Sequence, residues 1–109
     1  MTIKELIDKK LFETLCVGDN TDTEISKPFC CDLLSVAMGK TPDNSAWVTV
    51  MANVNTLAVA TLTDCACVIF AEGIVPDRNV VEKAKEQGIT LMRTELPVFE
   101  ASLEIYKQL

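Results

Sequence analysis

Three short apolar runs rich in β-branched residues, starting near Trp47, Cys67 and Ile89, recur at a spacing of roughly twenty residues. They cover Trp47 to Met51, Cys65 to Ala71 and Ile89 to Met92. None alternates apolar with polar, so each predicts a strand buried on both faces. The stretches between them read as helices. Asn53 or Asn55 caps the first, which runs to about Leu62. Pro76-Asp77 opens the second, carried by Val80, Val81 and Ala84 and ended by Gly88. Thr94 or Glu95 leads into the last, with Val98, Leu103 and Tyr106 among its apolar positions. Such alternation predicts an α/β fold of three layers, a mainly parallel sheet with helices on both faces.

The first half adds a short N-terminal helix and extended pieces. Ile3, Leu6 and Ile7 give that helix its apolar stripe, ending near Lys10. Thr2 and Glu5 stand at capping-box spacing. Leu11 to Val17 predicts a first strand, Gly18 to Asp22 a turn, and Glu24 to Ser26 a second extended piece. Asp32 precedes Leu33, Leu34, Val36, Ala37 and Met38, a helical pattern that Gly39 is expected to stop. At 109 residues, without repeat or linker, the chain reads as one domain spanning 1–109.

Charge removes whole classes of function. The net charge is −6, with no run of Lys or Arg. A phosphate backbone or an anionic membrane surface needs clustered cations, so neither is an expected partner. The longest uncharged stretch, Ala46 to Thr63, is interrupted by Asn and Thr and reads as strand plus helix, not as a membrane span. With no histidine, the commonest general base is missing. Five cysteines, an odd number, and no export signal predict reduced thiols in a cytoplasmic protein. The apolar fraction, 49%, is high for so small a domain and predicts a buried face between copies, hence a homodimer.

Asp32-Leu33-Leu34-Ser35 with Met38, then Thr49, then Asn55 opening the Ala58-Val59-Ala60 helix, resembles the DRTGG domain. That family is similar to the N-terminal domain of HPr kinase/phosphorylase and occurs as a module of phosphotransacetylases and CBS-containing pyrophosphatases. The likeness is specific from about Ile25 to Leu62; Pro76-Asp77, Gly88-Ile89 and Thr94-Glu95 extend it weakly. Lys27-Pro28 stands where the family usually has its two glycines. The resemblance implies a non-catalytic regulatory or assembly domain, a sensor or adaptor of metabolic enzymes, possessing no cofactor and open to a protein partner. No Gly-rich loop ending in Gly-Lys-Ser/Thr is present, so nucleotide phosphates have no cradle of that kind.

An alternative function is binding of a small anionic ligand such as a nucleotide. Ligands of open parallel sheets gather at the carboxyl ends of the strands. Asn55, Asn53, Asp32, Glu72 and Thr94 fall near strand ends or helix starts, and the resemblance adds Thr49. Helix capping accounts for the same residue types, with Asn55, Asp77 and Thr94 each worth about 1 kcal/mol. A third alternative uses the cysteines. Cys30-Cys31 and Cys65-x-Cys67 together offer four thiols to zinc or an iron–sulfur cluster, Cys65 and Cys67 facing one side of a strand. Metal knuckles space their ligands by about two to four residues, which neither pair does, so free thiols are expected, with no metal site and no catalytic residue. Trp47 is expected in the core or an interface, and Phe99 and Tyr106, seven apart, packed on one helix face.

Overall fold

A computed structural model describes residues 1–109. It contains α1 (Ile3–Asp8), β1 (Glu13–Cys16), β2 (Pro28–Cys30), α2 (Leu34–Lys40), β3 (Ala46–Thr49), α3 (Val54–Leu62), β4 (Cys67–Phe70), α4 (Arg78–Gln87), β5 (Thr90–Arg93) and α5 (Val98–Lys107). The five strands form one sheet in the order β1-β5-β4-β3-β2. Strands β2 to β5 are mutually parallel, and β1 closes the far edge antiparallel to β5.

The side-chain alternation of the parallel strands sorts the core into two layers. On one face Trp47, Val68, Phe70 and Leu91 pack beneath Ala37 of α2, Leu57, Val59 and Ala60 of α3, and Val80 and Ala84 of α4. On the other, Ala46, Val48, Cys67, Ile69 and Met92 meet Ile3 and Leu6 of α1 and Ala101 and Ile105 of α5. Every residue of β3 and β4 is buried, as continuous apolar runs require. The three-layer α/β architecture is the one the alternation predicts. Three crossovers in one direction place α2, α3 and α4 on the same face, because such connections are right-handed.

Local chemistry sets several boundaries. Thr2 and Glu5 form the reciprocal capping box of α1. Gly88 ends α4 in the left-handed conformation at φ 70°. Other expectations are corrected. Gly39 does not stop α2, which continues to Lys40 and is capped at Thr41, where both the N–H and the hydroxyl of Thr41 donate to Ala37 O. The second strand is Pro28–Cys30, not Glu24 to Ser26; Glu24 makes only a single bridge to Thr2. Pro28 tolerates the first position of an edge strand, where its missing N–H faces no partner.

Candidate functional site

All six anticipated residues lie at or just beyond the carboxyl ends of the parallel strands. They form two groups. In the first, Asp32 follows β2 and turns back onto β3. The buried Thr49 hydroxyl donates to Asp32 Oδ1 at 2.7 Å, and the Val50 N–H donates to the same oxygen at 2.9 Å. The Met51 N–H donates to Thr49 Oγ1 at 3.2 Å. Asn53, in extended backbone, is the N-cap of α3: its Oδ1 accepts from the N–H groups of Asn55 at 2.9 Å and Thr56 at 3.3 Å. Asn55 therefore does not cap the helix. It sits inside the first turn, exposed, and its side-chain amide bonds to no other group of the chain.

The second group joins the ends of β4 and β5. Glu72 adopts φ 61°, and its Oε2 accepts from the Val98 N–H at 3.0 Å. A residue 26 positions upstream thus caps α5, whose own N-cap position is Pro97 and offers no acceptor side chain. Thr94 is buried and accepts from the Leu96 N–H at 3.2 Å instead of capping α5. Asp77 holds the N-cap position of α4 without a side-chain bond. Thr2 and Asn53 cap their helices through their side chains as the sequence allows, whereas Asn55, Asp77 and Thr94 do not. Propensity marks the right neighbourhoods, but backbone direction chooses which oxygen reaches which amide.

Arg93 is the residue sequence reasoning missed. Its side chain is 12% exposed. Nε donates to Ile74 O at 3.1 Å, and Nη2 donates to Gly73 O at 3.1 Å and Glu95 Oε1 at 2.9 Å. Nη1 donates to Glu13 Oε1 at 3.2 Å, across the β1–β5 register pair Glu13 and Arg93. The two carboxylates, Glu95 foremost, hold its guanidinium more firmly protonated than usual. Only the register of β1 on β5 brings Glu13 there, and no sequence spacing signals that.

The topology sets up a crevice between β4 and β5, since β4 leads to α4 on one face and β5 to α5 on the other. It is laced closed by Arg93 and by the Gly73 and Glu72 N–H groups, which donate to Thr94 O and Leu96 O. The cavities open at the opposite edge. Two adjoining ones, of about 150 and 300 Å³, share Asn20, Asp64, Cys65 and Ala66. None of the six anticipated residues lines either.

The thiols do not converge. Cys30 and Cys31 stand at the carboxyl edge and Cys65 and Cys67 at the amino edge, and no three metal-ligating side chains group together. Cys65 precedes β4 and packs with the α3–α4 layer, whereas Cys67 points into the α1–α5 layer. Their expected common side is therefore corrected: period two begins only where the strand does. Burial pushes the Cys65 thiol up to about 12 and the Cys67 thiol higher still, with Cys16 also raised. Cys30 is exposed, with Sγ 2.7 Å from Ser102 Oγ. Trp47 is wholly buried and its Nε1–H donates to Cys31 O at 3.0 Å.

Phe99 and Tyr106 share a face of α5, but that face is open: they are 68% and 67% exposed. The expectation that they pack within the chain is corrected. Ala101 and Ile105 supply the buried stripe instead.

No family model and no curated protein matches this chain. Among solved structures, it is similar to the CBS and DRTGG domains of the regulatory region of Clostridium perfringens pyrophosphatase, complexed with the activator diadenosine tetraphosphate. The TM-score is 0.78 at 16% identity, over 99% of this chain and 47% of that one. The fold is DRTGG-like. This chain spans about half the length of that structure, so the likeness concerns one part of a larger regulatory region. In this DRTGG-like fold the Asp32–Thr49–Asn53 group and the Glu72–Arg93 group occupy neighbouring strand ends. No helix is long and apolar enough to cross a membrane.

Proposed function

We propose that this chain is a regulatory module without a reaction of its own, working as a homodimeric sensor or adaptor of metabolic enzymes. The observation that carries the reading is the match of 99% of the chain to part of a regulatory region. The side-chain chemistry agrees. Asp32, Asn53, Glu72 and Thr94 all spend oxygens on backbone amides or a neighbouring hydroxyl, and the most buried thiols are held protonated. The homodimer rests on α5, where Phe99 and Tyr106 form an exposed aromatic stripe beside the edge strand β2. Aromatic side chains at such a face contribute most of the energy of a protein interface. Sedimentation velocity at micromolar concentration should show a dimer, and Phe99→Ser with Tyr106→Ser should give a folded monomer. Each copy carries −6, so added salt should strengthen the association. A monomer in the unaltered protein would remove the dimer from this reading.

A second reading is binding of a small anionic ligand such as a nucleotide at the carboxyl edge. The observation favouring it is Asn55, a free amide in the first turn of α3, where the helix N-terminus favours negative charge. Thermal unfolding with a panel of nucleotides tests it. A ligand at a hundred times its dissociation constant adds about 2.7 kcal/mol, a rise of about 10 °C or more for this size. Asn55→Ala should abolish that rise while leaving the unliganded melting temperature within about 2 °C.

A further inference from the structure

We propose that the outer N–H edge of Arg93 is an anion subsite at the carboxyl edge, occupied in the unliganded protein by the Glu95 carboxylate, which a phosphate group of the ligand displaces. The inference rests on the small-anion reading above and gives it the cation that the net charge of −6 otherwise denies. It begins from register. Thr49 pairs with Phe70 and Phe70 with Arg93, so the three form one row across the last residues of β3, β4 and β5. Register partners in parallel strands project to the same face, and Phe70 belongs to the layer under α3 and α4. Arg93 therefore shares its face with the start of α3, two strand spacings, about 10 Å, from Thr49.

The two halves of the guanidinium are bonded differently. The inner half is fixed, with donors on the Ile74 and Gly73 carbonyls. The outer half meets only side chains that are largely in water, Glu95 at 82% exposure and Glu13 at 61%. Ion pairs to such exposed carboxylates hold weakly. The result is an arginine positioned by backbone, presenting a planar fork of the kind that matches phosphate. The Glu95 carboxylate lies over the side-chain-free Gly73, at φ 74°, where a Cβ would fall 2.5 Å from Glu95 Oε2. The carboxylate stands where a phosphate oxygen would sit.

The test is calorimetric titration of the full chain with inorganic pyrophosphate and with ATP at low salt, alongside the Arg93 Nε–H resonance by NMR. Glu95→Gln should bind about twofold to fivefold tighter, the worth of one exposed pair. Arg93→Lys, which keeps the charge and loses the fork, should bind about tenfold weaker. In the unaltered protein the Nε–H signal should move on titration, a readout independent of whether any variant folds. Binding that Asn55→Ala abolishes but that leaves the Arg93 signal still and Glu95→Gln unchanged would overturn the subsite and spare the small-anion reading. No binding of either probe to the unaltered protein would overturn both.

Discussion

Asp32 is exposed, yet it completes the hydrogen bonding of a buried strand end. Its Oδ1 accepts from the Thr49 hydroxyl and the Val50 N–H. Asp32→Ala leaves the buried Thr49 hydroxyl without its acceptor, at about 1–3 kcal/mol, because an unsatisfied buried donor loses its full solvation, while the Val50 N–H can turn to water. Thermal unfolding should show a fall of about 4 °C or more. Asp32→Asn keeps an acceptor oxygen at that position and should retain most of the stability; equal loss in both variants would mean the charge matters and not the acceptor. At this scale residue type was legible and pairing was not. Asn53 and Asn55 are the same amino acid two positions apart, and either serves as a cap by composition. Only the extended backbone at Asn53, φ −134° and ψ 171°, aims its oxygen at the first-turn amides and leaves Asn55 free.

Among the elements, the two glycines Gly18 and Gly39 separate local preference from tertiary need. Gly39 lies within α2 and a Cβ there meets nothing within 4 Å. Gly39→Ala should stabilise the protein by about 0.5–1 kcal/mol, since it restricts the unfolded chain and suits a helix. Gly18 lies between β1 and the end of α4, where a Cβ would fall 2.1 Å from the Gly88 carbonyl oxygen. Gly18→Ala must push two backbones apart and should cost several-fold more than the other change gains, read as urea midpoints on the two variants. Sequence reasoning treated Gly39 as a helix stop because glycine often is one. It placed β3, α3, β4, α4 and β5 well, since buried strands and capped helices carry strong local signals. It missed β2 because three residues on a sheet edge have no periodicity to read. The true cap of α5, Glu72, arrives from the β4–α4 connection and is invisible to any local pattern.

Over the whole molecule, buried thiols couple stability to alkaline pH. Folding raises the Cys65 thiol from 9.0 to about 12, with Cys67 and Cys16 raised as well, all chiefly through burial. Above pH 9 the unfolded chain loses thiol protons that the folded one keeps, so stability is full below that point and falls as pH rises towards 12. The slope is about 1.4 kcal/mol per pH unit for each of Cys65 and Cys67, the two most deeply buried of these thiols. Urea midpoints should drop between pH 8 and pH 10.5, and Cys65→Ala with Cys67→Ala should flatten the drop; a level profile in the unaltered protein would refute the coupling. The sequence by itself determined the α/β class, the parallel alternation and the edge at which its polar residues gather. These follow from hydrophobic period and helix-start chemistry, which act within a few residues. Only the tertiary structure decided strand order, the antiparallel closure by β1, the Arg93 clamp and the open aromatic face of α5. Those depend on which distant segments meet, and contacts such as Glu13 with Arg93, 80 residues apart, leave no mark on local pattern.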